Sequence, residues 1–254
     1  MLSKNKQKFI LSLSKKKFRD QNGLFIAEGH KSVFDLLSTQ MMASTIIATQ
    51  EWINENKALI QNTTEVIIAS ENEIKKISSH KSPPAVIGLF KQKNNQLVVS
   101  DLQKELCLFL DEVQDPGNLG TIIRLADWFG IKHLICSRNC ADIYNPKTIQ
   151  STMGAISRVN IYEVEAINFL KDYQELKQPI YGTFLDGENI YQHKLQNHGL
   201  IIMGNEGKGI GKSVASFVSH KLLIPSYPAG IPTSESLNVS VATAITCAEF
   251  RRQA

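Results

Sequence analysis

The stretch C-L-F-L-D-E-V-Q-D-P-G-N-L-G-T-I-I-R-L-A-D-W-F-G-I-K-H-L-I-C, residues Cys107 to Cys136, decides the fold class. Its two ends, C-L-F-L (Cys107 to Leu110) and H-L-I-C (His133 to Cys136), are short apolar runs of the kind that become strands buried on both faces. Between them Asn118 can cap a helix that runs to Phe129, and Gly130 can close it in the left-handed conformation that glycine adopts without penalty. Strand, helix, strand makes a βαβ unit, which implies a parallel sheet with helices on its faces. The alternation continues outward. A helix is expected around Pro146 to Met153, then V-N-I-Y-E-V, a helix over Ala166 to Lys177, and the strands P-I-Y-G-T-F-L, L-I-I-M and K-L-L-I-P. A last helix places Leu237, Val241, Ala244, Ile245 and Ala248 on one face.

Ligands of open parallel sheets bind beyond the carboxyl ends of the strands. Three loops leave from those ends: D-E-V-Q-D-P-G-N-L-G-T-I-I-R, G-N-E-G-K-G-I and I-P-S-Y-P-A-G-I-P-T-S-E-S-L-N-V-S. The second belongs to G-N-E-G-K-G-I-G-K-S, Gly204 to Ser213, which imitates two nucleotide motifs and satisfies neither. A P-loop needs glycine where Glu206 stands, and G-x-G-x-x-G counted from Gly207 needs glycine where Lys212 stands. A carboxylate at the apex of the turn repels phosphate, so the ligand is expected to be neutral or cationic.

Toward the amino terminus, L-F-I-A-E, S-T-I-I-A-T, T-E-V-I-I-A-S and A-V-I-G-L-F alternate with the helical patterns H-K-S-V-F-D-L-L-S and E-N-E-I-K-K-I-S. They read as a small α/β domain of residues 1–95, separated by the polar K-Q-K-N-N-Q from a second domain of residues 96–254. Charge is concentrated at one end. Lys4, Lys6, Lys8, Lys15, Lys16, Lys17 and Arg19 precede the first acidic residue, while the other 21 basic residues face 24 acidic ones, leaving the remainder at −3 within a chain of net charge +4. That face suits a polyanion, with Lys15, Lys16, Lys17 and Arg19 its expected contacts; a solvated basic helix face is the alternative. Cys107, Cys136, Cys140 and Cys247 form no C-x-x-C pair and have no histidine at zinc spacing, so free thiols and no metal are expected. No apolar run is long enough for a membrane span and no secretory signal opens the chain, which is therefore expected in the cytoplasm, away from membranes.

N-L-G-T-I-I-R, I-M-G-N-E-G-K-G-I and S-L-N-V-S-V-A, in this order, resemble the three motifs of the SpoU (TrmH) branch of the SPOUT methyltransferases. Q-S-T-M-G-A (Gln150 to Ala155) resembles a recurrent segment between the first two, and G-L-F-I-A-E-G-H-K-S-V resembles the small RNA-binding domain that many ribosomal RNA members carry. The resemblance implies an RNA ribose 2′-O-methyltransferase that uses S-adenosylmethionine. It also implies a deep carboxyl-terminal trefoil knot and a homodimer formed through the SPOUT domain. Knots are nearly absent from proteins at large, so pattern reasoning alone argues against one.

By family position, Thr183, Gly204, Asn205, Gly207, Ile224 and Leu237 are expected to bind the cofactor. Glycines at 204, 207 and 209 would let the main chain approach it, although a purely structural turn role for Gly207 and Gly209 is as well supported. Arg124, Asn118, Glu206, Ser236 and Asn238 are the expected catalytic set. A guanidinium stays protonated, so Arg124 is read as a clamp on a substrate phosphate rather than as a base. Asn118 has a helix-capping alternative, Glu206 is expected to orient Arg124 or loop amides, and Ser236 is expected to cap the last helix, leaving Asn238 free to function. The link Ser226 to Glu235 is longer than is usual in the family, so Tyr227, Pro228, Ile231 and Pro232 are candidates to reshape the pocket rim. Ribosomal RNA is favoured over transfer RNA because the chain stops after its final helix, without the extension typical of transfer-RNA members. A knotted RNA-binding factor without catalysis and a base methylase are the competing readings, and intact Arg124, Glu206 and Asn238 and the S-L-N-V-S-V-A motif argue against them.

Overall fold

The computed structural model describes residues 2–228, 231 and 234–254. The chain begins with α1 (Lys4–Ser12), α2 (Lys16–Asn22), β1 (Leu24–Glu28), α3 (His30–Ser38), β2 (Ala43–Ala48), α4 (Gln50–Glu55), β3 (Glu65–Ile68), α5 (Glu71–Lys75) and β4 (Val86–Lys91). It continues with β5 (Leu106–Leu110), α6 (Pro116–Trp128), β6 (His133–Ser137), α7 (Pro146–Thr152), β7 (Asn160–Val164) and α8 (Ala166–Gln174). The last elements are β8 (Ile180–Asn189), β9 (Gly199–Met203), α9 (Lys212–Ala215), β10 (His220–Leu223) and α10 (Val239–Arg252). Two compact units result: residues through Asn94 together with Asp142–Arg158, and Asn95–Ala141 together with Val159–Ala254.

The first unit is a mixed sheet in the order β1-β4-β2-β3, with β4 antiparallel to both neighbours and β2 parallel to β3. Ile10 and Leu13 from the α1 region pack with Ile26, Ile47, Ile74, Ile87 and Leu89 in its core. Each such side chain contributes about 1.5–3 kcal/mol on burial. Gly23, at φ +60, ends α2 and turns the chain into β1. A contiguous division at residues 95 and 96 leaves Asp142–Arg158 in the second domain, but this segment packs with the first unit. The reasons are local. Tyr144 stacks on Phe25 at 4.9 Å, the Lys93 ammonium donates to the Ser157 carbonyl at 2.6 Å, and the Arg19 guanidinium pairs with Asp142.

The second unit is a six-stranded, wholly parallel sheet in the order β10-β8-β9-β5-β6-β7. Every residue of β5 and β9 is buried, which explains why these strands read as unbroken apolar runs. Cys107 and Phe109 of β5 and Leu200 and Ile202 of β9 share a cluster with Phe169, Leu170 and Tyr173 of α8, and the Phe109 and Phe169 rings stack at 5.6 Å. Leu110 stands opposite Met203 in the ladder, so the loops after β5 and β9 leave side by side at one end of the sheet. The pairing of β8 with β10 jumps from Gly182 to Glu188, so residues 183–187 are looped out of it.

Candidate active site

The loop after β5 and the loop after β9 are laced together by hydrogen bonds. Asp115, not Asn118, caps α6: its Oδ1 accepts the Asn118 N–H at 2.9 Å, and Pro116 takes the first helical turn, where a missing N–H costs nothing. Asn118 therefore lies inside the first turn with its side chain released from capping. Its Nδ2 donates to Glu206 Oε1 at 3.1 Å, and its Oδ1 accepts Asn238 Nδ2 at 3.0 Å. Glu206 also accepts the Asp115 N–H on Oε1 at 3.1 Å and the Gln114 N–H on Oε2 at 3.3 Å. Partial burial raises the Glu206 carboxyl. Its own backbone N–H, the Asn118 amide and the Asp115 and Gln114 amides outweigh that effect and hold it below the usual range, so it is a carboxylate at neutral pH.

Asn205 shapes the glycine loop. Its Oδ1 accepts the N–H groups of Gly207 and Lys208 at 3.0 and 3.1 Å, its Nδ2 donates to the Glu112 carbonyl at 2.7 Å, and its backbone exchanges two hydrogen bonds with Gly209, whose φ is +67. A Cβ at Gly204 would lie 2.3 Å from Gly209 C and Ile210 N. The loop's own backbone therefore excludes a side chain at Gly204, apart from any contact its main chain makes. A Cβ at Gly207 would meet only Asn205 Oδ1, at 3.8 Å.

Asn238 caps α10, its Oδ1 accepting the N–H groups of Ser240 and Val241, while its Nδ2 reaches Asn118. Ser236, expected at that cap, is exposed and makes no hydrogen bond among the described residues. It stands two residues too early to reach the first free N–H groups. Arg124 is exposed on α6 and has no hydrogen bond or ion pair among the described residues, so Glu206 bonds loop amides rather than orienting it. Thr183 begins the excursion from β8, its Oγ1 4.0 Å from Met203 Sδ; Ile224 is half-buried and Leu237 is 49% exposed. In the long link, Tyr227, Pro228 and Ile231 are exposed, and Pro232 lies outside the described residues. On the first unit Lys15, Lys16 and Lys17 are exposed. Arg19 is not: it is 1% exposed, and its guanidinium donates to the Leu13 and Ser14 carbonyls and to Asp142, which removes it from the expected RNA contacts.

Two residues that sequence reasoning passed over, Asp111 and Glu112, support the lacing. Asp111, 6% exposed at the end of β5, accepts the Gly211 N–H on Oδ2 at 2.8 Å. Burial raises its carboxyl above the usual range, the Gly211 hydrogen bond opposes this and the Glu112 charge adds to it. An acid ending an otherwise apolar strand was the available signal. Glu112 adopts φ +57, its N–H held by Ser137 Oγ at 2.9 Å and its carboxylate by Asn139 Nδ2 at 2.8 Å.

The loops at the carboxyl ends of a parallel α/β sheet, here joined through amides, an ionised glutamate and two asparagines, are where sheets of this class bind their ligands. The profile of the SpoU rRNA Methylase family matches residues 105–248, and that of the MRM3-like substrate binding domain matches residues 4–88. The chain belongs to the SpoU rRNA methylase family. It is 27% identical over 240 residues to the 23S rRNA (guanosine(2553)-2′-O)-methyltransferase RlmP of Bacillus subtilis, covering 94% of this chain and 93% of that one. Its structure is similar to that of a TrmH-family protein from Porphyromonas gingivalis, with 35% identity, TM-score 0.89 and full coverage of both chains. It is likewise similar to an AdoMet-bound rRNA methyltransferase from Sinorhizobium meliloti, with 28% identity, TM-score 0.87 and coverage of 99% and 97%.

The chemistry around the glycine loop fits S-adenosylmethionine, the cofactor of this family. The carboxylate of Glu206 would repel a phosphate ligand, the backbone at Gly207 is open, and the exposed Leu237 and half-buried Ile224 offer apolar surface that would suit an adenine ring.

Proposed function

We propose that this chain transfers a methyl group from S-adenosylmethionine to a ribose 2′-oxygen of ribosomal RNA, with large-subunit RNA as the substrate class. The observation that carries this reading is the Asn118–Glu206–Asn238 lacing, with Arg124 exposed further along the helix that carries Asn118 and unengaged among the described residues. When bound, S-adenosylmethionine supplies a methyl group made electrophilic by the sulfonium. Thr183, Gly204, Asn205, Gly207, Ile224 and Leu237 would hold it; Asn118, Glu206 and Asn238 join the loop after β5, the glycine loop and the start of α10. Arg124 grips a substrate phosphate bidentately and stabilises the charge developing on the 2′-oxygen, whose proton passes to a phosphate oxygen or water. Orientation of this kind supplies about 7–11 kcal/mol in favourable cases, enough for an already activated electrophile. Ser236, exposed at the approach to α10, is assigned to the substrate side, and Lys15, Lys16 and Lys17 bind RNA outside the reacting centre.

The trefoil knot, the homodimer and a cytoplasmic location belong to the same proposal. Family membership supports the knot. The dimer is supported by large apolar side chains left on the packed pair α6 and α10, Trp128 at 80% and Val241 at 48% exposure. Four free cysteines suit a reducing compartment. Incubating the purified protein with unmodified ribosomal RNA and the cofactor, followed by alkaline hydrolysis, tests the function: a single alkali-resistant linkage in large-subunit RNA is expected. Resistance only in transfer RNA redirects the substrate assignment, and none in either RNA overturns the reading.

A further inference from the structure

Of the seven basic residues among the first nineteen, two are spoken for. Arg19 is buried, and the Lys6 ammonium is bound to Glu65 at 2.5 Å and lies 3.4 Å from Thr45 Oγ1. Lys16 stands 3.7 Å from Asp20 and 3.9 Å from Asp142. The remaining four, Lys4, Lys8, Lys15 and Lys17, are exposed with no acidic partner among the described residues. Lys4, Lys8 and Leu11 recur at helical spacing, i, i+4 and i+7, on one face of α1 and its end. Leu11 is 48% exposed, and Phe18, on α2, 37%. Four lysines without acidic partners, with an exposed aromatic ring among them, match a phosphate chain whose bases are unstacked.

The corner between α1 and α2 is also held together by a buried side chain. The Arg19 guanidinium crosses beneath it and donates to the Leu13 and Ser14 carbonyls, both at 2.8 Å, and to Asp142. Asp142 Oδ1 in turn accepts the Tyr144 N–H at 2.9 Å. Burying a guanidinium is costly, and here it fixes the backbone immediately before Lys15, Lys16 and Lys17. A side-chain track held by a preorganised turn loses less freedom when it binds.

We propose that the α1–α2 corner is a docking surface for an unpaired RNA strand. Lys4, Lys8, Lys15 and Lys17 contact its phosphates, a base stacks on Phe18 against Leu11, and Arg19 is the positioning residue that sets the corner. The inference rests on the RNA-modifying reading and deepens it, because it selects loops and single strands over duplex. Duplex RNA keeps its bases stacked internally and offers Phe18 nothing to cover.

The test is fluorescence anisotropy of the full chain with a short unstructured RNA and with the same RNA in a duplex, over a salt series, with cofactor affinity measured in parallel by calorimetry. Phe18→Ala is expected to weaken single-strand binding by roughly tenfold without changing the salt dependence, with Phe18→Trp restoring it and duplex binding unaffected. Lys15→Gln together with Lys17→Gln is expected to reduce the single-strand salt slope by about 1.4. Arg19→Lys, which keeps the charge and loses the fork, is expected to weaken single-strand binding while leaving cofactor affinity unchanged. Equal single-strand affinity for Phe18→Ala and the parent, or an equal loss on duplex, overturns the proposal. So does a parent protein that binds the cofactor and neither RNA, an outcome that assigns the corner to a protein partner. Loss of cofactor binding in the parent sinks the methyltransferase reading instead, and the anisotropy result stands apart from it.

Discussion

Replacing Glu206 by alanine removes three of the hydrogen bonds that join the glycine loop to the loop after β5, those from Gln114 N–H, Asp115 N–H and Asn118 Nδ2, and leaves the one from Asn205 Nδ2 to the Glu112 carbonyl. A hydrogen bond to a charged acceptor is worth about 1.5–3 kcal/mol when dry, and water competes at this half-buried carboxylate, so about 1 kcal/mol each is the appropriate scale. Water will satisfy some of the freed donors, which leaves about 1.5–3 kcal/mol for loop closure, or on the order of 10- to 150-fold in affinity for a ligand that needs the loops closed. Glu206→Gln keeps one acceptor oxygen but turns an NH2 toward an N–H donor, and it is expected to lose roughly tenfold. The core is untouched, so the melting temperature should fall by only a few degrees, about 2–4 °C for each kcal/mol in a chain of this size. Calorimetric titration with S-adenosylmethionine reads the effect. The pH dependence follows from the sign of the shift. A carboxylate held below its ordinary value contributes fully above the unfolded value of about 4.3 and is lost only as pH falls through its lower folded value, so Glu206 should not alter affinity between about pH 8 and 5. A Glu206→Ala protein that folds normally and binds the cofactor within about threefold of the parent, a difference under 1 kcal/mol, would refute the lacing argument.

Arg124→Ala should lower methyl transfer by on the order of 100- to 1,000-fold with cofactor affinity unchanged, as for loss of one charge-stabilising donor, measured by single-turnover transfer from labelled S-adenosylmethionine. Gly204→Ala forces a Cβ to within 2.3 Å of the Gly209–Ile210 backbone and should abolish cofactor binding in calorimetry while the sheet persists by circular dichroism. Arg19→Met leaves Asp142 and two carbonyls without their donor in the first unit and should cost about 3–5 kcal/mol in denaturant unfolding. Trp128→Glu puts a charge in place of an apolar side chain 80% exposed on α6 and should yield monomers by light scattering if Trp128 joins two copies.

The parallel sheet was legible because strands buried on both faces leave continuous apolar runs, as in C-L-F-L and L-I-I-M, and because Gly130 marks a helix end. Cap assignment was less legible: Asp115 and Asn118 both favour N-caps, and Pro116 between them was the signal that settles the choice. Asn238 similarly took the cap expected of Ser236, because one asparagine can cap with its oxygen while its NH2 bridges to Asn118. Arg19 looked like its basic neighbours, since a string shows charge but not the direction of a side chain, and its partner Asp142 lies 123 residues away. The same distance hid the packing of Asp142–Arg158 with the first unit: local pattern reports the period of α7 and says nothing of which sheet receives it. At Gly204 the sequence pointed to a glycine but not to the close approach of the Gly209–Ile210 backbone that excludes a side chain there, which only coordinates reveal.

The most direct measurement is ribose-methylation mapping of total RNA from cells with and without this protein. The account predicts that one 2′-O-methyl position in large-subunit ribosomal RNA disappears with the protein and returns with the parent gene but not with Arg124→Ala. A methylation map identical in the two cells, from a protein shown to be expressed, would contradict it.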